Sequence, residues 1–458
     1  MKRYNVALLL IPLLILIFSG ISCGEGNKSI LIIVDELDLE DMEKMFPDEN
    51  FGIGFMSLKT RKPYGDDSLY LSIGMGKKIG VNPSLYGGLY KNRAGTIKIA
   101  GFQHIFREFV EADYYMDMGL LGDRLGHRGI SYIGDNSSAI IAANKNGDIK
   151  SGEIEIIYDK EWLKRKTNHH LSNTDVLVLS YDISQIEYRK GILKKYIDEF
   201  RDCNIMLIPT KVSNKMKYII NGNLAPIAYF KGDSRGLISS LSTRRDGLIT
   251  LEDISAELLN LNGIEIPLAI GDRIHIKDET NNIEKAKDLF KKSINLIWIT
   301  SIFHGIVYML QAYSAYQLYK DKKDKLNNIN TYNNFIIINI FISLLMGASS
   351  LHINIALYLF INLLATYIIT IFISDKDINI IGLFSTLTYA LIIWGILFYP
   401  DIIYNSYIGF NNLFYGARYY GLNNGIMGVL LVTSVISYSF IEKLIPNKFI
   451  KNLICLLY

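Results

Sequence analysis

Two aspartates that come after apolar runs are the residues in this chain whose placement could do chemistry. Asp35 directly follows residues 30–34, and Asp182 follows closely on residues 176–179. A carboxylate at the end of a parallel strand can hold a divalent cation, whose Lewis acidity polarises a phosphoryl or sulfuryl ester. The alternative is a structural one, in which such an aspartate caps the helix that follows. The residues alone leave both interpretations open.

The segments that would position these aspartates have the pattern of a mixed α/β domain. Three β-branched runs are too short and too continuous for amphipathic helices and are typical of buried parallel strands. They are residues 30–34, 176–179 and 205–208, the last closed by Pro209. Helical spacing over 186–201 completes a βαβ unit, and a capping box at Thr250 begins a helix that runs to Leu261. We therefore predict an α/β domain with a mainly parallel sheet over residues 29–292.

The composition changes abruptly after residue 292. Five apolar runs approach the roughly 20 residues that a membrane-spanning helix needs. They are residues 294–318, 335–348, 353–373, 378–399 and 427–441, of which the second and third could form one hairpin joined at 349–350. The chain is 50% hydrophobic, which agrees with a membrane part. We predict an all-α transmembrane bundle over 293–445, followed by a cytoplasmic tail over 446–458.

The N-terminus has the pattern of an export signal. Lys2 and Arg3 precede an apolar run over 6–18, and small residues follow up to Cys23. Residues 1–23 are thus expected to be a cleaved signal peptide or an uncleaved anchor. Lipidation of Cys23 is a further alternative, because the residues before it loosely resemble a lipoprotein box.

Positive charge predicts the orientation. Lysines crowd the first loop of the bundle and the tail, namely Lys320, Lys322, Lys323, Lys325, Lys443, Lys448 and Lys451. Cytoplasmic loops carry such an excess, and five spans place both segments on one side. We therefore expect a multi-pass protein of a bacterial cytoplasmic membrane, with the lipid bilayer as partner and the α/β domain outside the cytoplasm. The formal net charge of +3 gives no indication of a nucleic-acid partner.

Three segments of the predicted α/β domain resemble the alkaline phosphatase superfamily. They are residues 32–35, 63–74 and 239–254. The last is similar to a stretch in phosphodiesterases, sulfatases and cofactor-independent phosphoglycerate mutases, and the likeness extends over about residues 29–265. The resemblance implies that Asp35 is the first metal ligand and that Ser68 or Ser72 stands near the nucleophile. Asp182 is a metal-ligand candidate only through its place after a predicted strand.

The family's metal set is where the likeness fails. Those enzymes carry an Asp-His pair after a late strand, whereas residues 205–208 here continue as Pro209, Thr210 and Lys211. We therefore expect no cofactor and a non-catalytic role in binding or regulation at the cell envelope. The rival hypothesis is a divalent-metal-dependent hydrolase or transferase of phosphorylated or sulfated envelope substrates.

Several other residues have both a functional and a structural interpretation. Arg244 and Arg245 could meet an anion at the mouth of the sheet, or form a solvated turn beside Asp246. His169 and His170 could bind a metal, although such a pair is more often a solvated loop.

The segment after Pro400 is rich in Tyr, Gly and Asn and contains Arg418. It could bind an envelope glycan or a lipid head group, or it could be an ordinary interfacial aromatic belt. It resembles a stretch in longer bacterial membrane proteins with the same type of ectodomain, so the chain is expected to be either a short or a truncated member of that group. Ionisable residues are scarce inside the apolar runs, which argues against a transporter.

Overall fold

The computed structural model describes residues 28–93, 95–111, 119–183, 186–217, 221–265, 270–320, 326–348, 354–374, 378–408 and 422–445. These residues divide into two compact units. The first is formed by described residues of 28–217, 223–242 and 246–283, and the second by those of 221–222, 243–245 and 284–445. Each unit is considered by itself below. The predicted signal over 1–23, Arg418 and the predicted tail over 446–458 lie outside the described residues.

The first unit contains thirteen described strands. They are β1 (Ser29–Leu37), β2 (Gly52–Ser57), β3 (Leu89–Lys91), β4 (Ile97–Ile99), β5 (Ile130–Ile133), β6 (Asp148–Ile149), β7 (Ser151–Glu153), β8 (Val176–Ser180), β9 (Asn204–Val212), β10 (Leu224–Phe230), β11 (Gly236–Ser239), β12 (Leu248–Ile249) and β13 (His275–Asp278). Ten of them form one sheet in the order β13-β11-β12-β2-β10-β9-β1-β8-β5-β7. The remaining three form a small sheet in the order β3-β4-β6.

The large sheet is mainly parallel. Strand β1 lies inside it between β8 and β9, where Ser29 pairs in parallel with Val176 of β8 and with Asn204 of β9. Among the described strands of this sheet, β10 and β13 form the antiparallel pairings. The side chains of residues 30–34 are all buried, as expected for a strand covered on both faces. The predicted α/β fold is confirmed.

Strand β9 continues past Pro209, which corrects the prediction that this proline closes the strand. Pro209 pairs with Val34 of β1, and β9 runs on to Val212. Proline has no N–H and cannot donate to a neighbouring strand. On its other side β9 pairs with β10 only over residues 205–207, so no ladder hydrogen bond to β10 is interrupted at position 209.

Seven described helices accompany the sheets of the first unit. They are α1 (Leu39–Met45), α2 (Asp66–Met75), α3 (Phe102–Glu111), α4 (Leu121–Arg124), α5 (Lys160–Leu171), α6 (Glu187–Glu199) and α7 (Leu251–Leu261). Helices α6 and α7 lie where the sequence predicts them. Helix α2 follows β2 and packs against α7, with Ile73 and Leu258 among the buried core residues.

The second unit is helical. Its described helices are α8 (Asn282–Lys320), α9 (Leu326–Ala348), α10 (Ile355–Ser374), α11 (Ile380–Leu397), α12 (Asp401–Tyr404) and α13 (Asn424–Leu444), of which α8 begins at the end of the first unit. Four helices are long and apolar enough to cross a membrane, namely α8, α10, α11 and α13. The second of the five predicted spans falls on a shorter apolar stretch, Thr331–Gly347 of α9. By length and composition, these helices fit an integral membrane protein.

Candidate functional site

Asp35 and Asp182 lie close together at the carboxyl end of the central strands. Asp35 lies near the end of β1, and its Oδ1 accepts a hydrogen bond from the backbone N–H of Ile183 at 2.8 Å. Ile183 immediately follows Asp182, which comes just after the end of β8. The parallel pairing of β1 with β8 therefore brings these two aspartates to one edge of the sheet.

The carboxylate of Asp182 is engaged by a cation from the protein itself. Arg189 donates from Nη1 to Asp182 Oδ2 at 2.7 Å and to the Asp182 carbonyl oxygen at 3.3 Å. The Arg189 guanidinium also stacks 3.6 Å from the ring centroid of Tyr158. Arginine combines well with a carboxylate and an aromatic face at once, because its guanidinium is planar. Positive charge is thus already present at this edge of the sheet.

Tyr158 and Tyr181 lie beside the Asp182–Arg189 pair, and Tyr86 and Tyr132 lie near Asp135. The Tyr132 hydroxyl donates to the carbonyl oxygen of Asn136 at 3.0 Å, and the Tyr181 hydroxyl donates to that of Arg189 at 2.9 Å. Burial raises the pKa of Tyr86 to about 12 and also raises the pKa of Tyr158. These phenols therefore stay protonated at neutral pH, so that they can act as hydrogen-bond donors.

The two candidate nucleophiles are fully buried in α2 and bond to the backbone. Ser68 Oγ donates to the carbonyl oxygen of Pro63 at 2.8 Å and accepts from the N–H of Val81 at 2.9 Å. Ser72 Oγ donates to the carbonyl oxygen of Ser68 at 2.6 Å and accepts from the N–H of Ile79 at 2.9 Å. Both hydroxyls hold the segment after α2 against the helix.

Thr210 and Lys211 occupy the position at which the resembled enzymes carry an Asp-His pair. Thr210 Oγ1 donates to the carbonyl oxygen of Asp35 at 3.1 Å. Lys211 pairs in register with Glu36 of β1 and is exposed. Two carboxylates, one bound to a guanidinium and the other to a backbone N–H, do not match the donor set of a two-metal centre. We therefore derive no catalytic step through a metal.

The two adjacent arginines differ: Arg244 lies in an exposed turn, as one of the two interpretations has it, and Arg245 does not. Arg244 is exposed in a turn and has a left-handed φ of 52°. Arg245 is partly buried, and its guanidinium lies 4.4 Å from the ring centroid of Tyr404, a residue of the same unit. Burial lowers the pKa of Arg245 to about 10, so it remains charged at neutral pH. Asp246 pairs with Lys277 at 2.6 Å.

The two adjacent histidines differ from each other. His169 is exposed, whereas His170 is buried and bonds through Nδ1 to the Ser151 hydroxyl at 2.7 Å. His170 Nε2 lies 3.4 Å from Glu153, whose carboxylate also binds Lys166 at 2.6 Å. Within the described ranges, no three His, Cys, Asp or Glu side chains are grouped so that they could hold a metal ion.

Sequence reasoning missed Arg189 and Tyr158. Arg189 lies in the first turn of α6, and Tyr158 precedes α5, so the two are distant in the chain. The position of Arg189 could have indicated its role. It lies in the first turn of the helix that follows Asp182, so its side chain can reach the Asp182 carboxylate at the end of β8. Known protein families and curated proteins offer no match to the chain. The resemblance to the alkaline phosphatase superfamily therefore stays a prediction.

Proposed function

We propose that the first unit is a non-catalytic binding or regulatory domain with an alkaline phosphatase-like fold, carried by the membrane helices of the second unit. The observation that carries this proposal is the contact between Asp182 and Arg189. An internal guanidinium supplies the positive charge at the strand ends where the resembled enzymes place metal ions. The hydroxyls of Ser68 and Ser72 support the same conclusion, because both are buried and hydrogen-bonded to the backbone.

The ligand class that suits this edge of the sheet is a hydroxyl-rich glycan of the cell envelope. Sugar hydroxyls donate to carboxylates and accept from phenols, and Asp135 and Asp182 are exposed beside buried tyrosines. Aromatic rings such as that of Tyr158 add an apolar surface for the C–H face of a sugar. A lipid head group remains the second ligand class, through the segment that contains Arg418.

The proposed location is the outer side of a bacterial cytoplasmic membrane. The lysines after α8 and in the tail support this orientation, because positive charge collects on the cytoplasmic side. A cysteine introduced at exposed Ser172 should then react with a membrane-impermeant maleimide in intact cells. Labelling only after the cells are broken would place the domain inside instead.

The catalytic alternative is a metal-dependent hydrolase or transferase of phosphorylated or sulfated substrates. One observation favours it, namely the adjacency of Asp35 and Asp182. The deciding experiment incubates the purified full chain with phosphomonoester, phosphodiester and sulfate ester probes, each with Mn²⁺, Mg²⁺ or Zn²⁺. The proposal expects no turnover above the blank. Turnover that Asp35→Ala abolishes, and that the exposed control Asp48→Ala preserves, would establish the alternative.

Binding is tested separately by co-sedimentation of the full chain with insoluble cell-wall polysaccharide. Tyr158→Ala is expected to reduce the bound fraction severalfold, since it removes the ring beneath Arg189. Tyr90→Ala is the matched control, because the Tyr90 side chain is exposed and lies in β3 of the small sheet. Equal binding by the two variants would exclude the tyrosine-rich edge as the glycan site.

A further inference from the structure

Charged side chains gather in the helical unit where α8 meets α12. Arg245, which belongs to this unit, lies with its guanidinium 4.4 Å from the ring centroid of Tyr404. Arg245 also interacts electrostatically with the Asp401 carboxylate, and the Lys292 ammonium interacts with both Asp401 and Arg245. In this Arg245 cluster, formed by Arg245, Lys292, Asp401 and Tyr404, two cations share one carboxylate. The cluster therefore has a net positive charge.

Apolar packing between α8 and α12 holds these charged groups in place. Ile299 and Phe303 lie seven and eleven residues after Lys292, so the three side chains share one face of α8. Ile299 and Phe303 belong to the same buried apolar cluster as Ile402 and Ile403 of α12. The face of α8 that carries Lys292 is therefore the face that packs against α12, which brings Lys292 toward the charges beside α12.

The Arg245 cluster lies at the edge of the apolar segments. Lys292 is the last Lys, Arg, Asp or Glu before the apolar run over 294–318, and Asp401 follows shortly after the end of α11. Two exposed tryptophans lie near the same ends, namely Trp298 of α8 and Trp394 in the last turn of α11. Tryptophan is enriched at the interface between membrane and water. The cluster is therefore expected at the level of the lipid head groups.

The other charges at the start of α8 strengthen the positive field around the cluster. Before its apolar run α8 carries four lysines and two acidic residues, namely Lys285, Lys287, Lys291, Lys292, Glu284 and Asp288. Lysines next to a membrane-spanning segment attract anionic lipids. A diffuse layer of lysines attracts any anion, whereas a guanidinium matches two phosphate oxygens at once. Arg245 therefore adds selectivity for phosphate to the general attraction.

We propose that the Arg245 cluster binds the head group of an anionic phospholipid that carries hydroxyls, such as phosphatidylglycerol. The Arg245 guanidinium and the Lys292 ammonium bind the phosphate oxygens, and the exposed Asp401 carboxylate accepts a hydrogen bond from a head-group hydroxyl. A zwitterionic lipid binds less tightly, because its own cation cancels the charge of its phosphate. The proposal rests on the membrane placement of the helical unit and is independent of the glycan site, so either can fail without the other.

The test measures lipid binding by the purified, delipidated full chain in detergent, with native mass spectrometry as the readout. Phosphatidylglycerol, phosphatidylcholine and phosphatidylethanolamine with the same acyl chains are titrated separately. The parent is expected to bind phosphatidylglycerol about tenfold more tightly than the other two, the factor for one charge-assisted contact. Lys292→Gln and Arg245→Gln are each expected to remove most of this preference, because each leaves the phosphate with one cation.

Lys291→Gln is the matched control, because it removes the same charge from the same turn of α8. Lys291 is exposed, and one residue of offset turns its side chain to another side of the helix. This variant should keep the preference of the parent. If Arg245→Gln does not fold, Lys292→Gln decides alone.

Three outcomes would overturn the proposal. Equal loss of preference in Lys291→Gln and Lys292→Gln would show a diffuse surface charge in place of a site. Equal binding of phosphatidylglycerol and either zwitterionic lipid by the parent would exclude selection of an anionic head group. Displacement of bound phosphatidylglycerol by inorganic phosphate alone would identify the ligand as a free anion and not as a lipid.

Discussion

The α/β domain and the helical unit bury polar groups in different ways. In the α/β domain the buried polar groups include the carboxylates of Asp253 and Glu257, each with several donors. Asp253 accepts from the hydroxyls of Ser240 and Ser242 and from the N–H groups of Thr250 and Asp272, at 2.5–2.8 Å. In the helical unit the corresponding hub is the neutral amide of Asn339, which donates to Asn362 and Thr366 of α10 and accepts from the Tyr407 hydroxyl.

The difference follows from the solvent of each region. A carboxylate can be buried in a water-soluble domain when hydrogen bonds replace those of water. Inside a bilayer a charge costs much more, and amides and hydroxyls join helices instead. The comparison predicts that removing a buried carboxylate that accepts several hydrogen bonds lowers the free energy of unfolding more than removing a buried amide that joins helices.

The largest effect is expected for Asp253→Ala. Four donors from separate segments would lose their acceptor, so the free energy of unfolding of the α/β domain should fall by about 3 kcal/mol or more. Trp162 reports this domain when Trp298 and Trp394 are replaced by Phe. Denaturant unfolding followed by its fluorescence gives the value. The control Asp246→Ala removes an exposed carboxylate and should lower the free energy of unfolding by less than about 0.5 kcal/mol. If Asp253→Ala and Asp246→Ala lower it equally, the role of Asp253 as a shared hydrogen-bond acceptor is contradicted.

A smaller loss is expected when Gly347 becomes alanine. The added Cβ would meet the Ile402 carbonyl oxygen, and such overpacking costs about 1–3 kcal/mol. Thermal unfolding of the helical unit in detergent measures it. A Cβ added to Gly305 of α8 would meet no described atom within 4 Å, so Gly305→Ala should be neutral or slightly stabilising. Equal melting temperatures for the two variants would show that the close approach is relaxed in the protein.

Replacement of Asn362 by leucine tests the amide network itself. Interhelical hydrogen bonds in membranes contribute about 0.6–2 kcal/mol, so the loss should be about 1 kcal/mol and clearly below that of Asp253→Ala. The same detergent unfolding assay applies. A loss as large as that of Asp253→Ala would remove the distinction between the two regions.

The smallest effect concerns pH. Burial lowers the pKa of His170 below its ordinary value of 6.5. A histidine with a lower pKa in the folded chain binds fewer protons there, so its contribution is fully present above pH 6.5 and is lost as the pH falls from that value through the lower pKa of the folded chain. The α/β domain should therefore lose more stability between pH 7.5 and 5 than the variant His170→Gln does. The control is His169→Gln, since His169 is the exposed neighbour of His170. In this variant the stability of the α/β domain should depend on pH as it does in the parent.

The sequence predicted the elements of the α/β domain well because its central strands are short and wholly apolar. Residues 30–34 and 176–179 can form little else, and their parallel pairing brings Asp35 and Asp182 together. Pro209 misled the prediction because a proline interrupts a strand only where a partner needs its N–H, and β10 does not reach that far. Arg189 and Asn339 were missed for one reason. Their roles depend on which helix face meets which neighbour, and that is decided by tertiary packing.

The pairing of β1 with β8 and β9 has a consequence for how the chain matures. Ser29 is made early, but its partners Val176 and Asn204 appear only after most of the domain has been synthesised. Contacts so distant along the chain slow folding, and an unpaired apolar strand invites association with other chains. A chain that ends before residue 204 would leave β1 without its β9 partner, and we expect such a chain to aggregate.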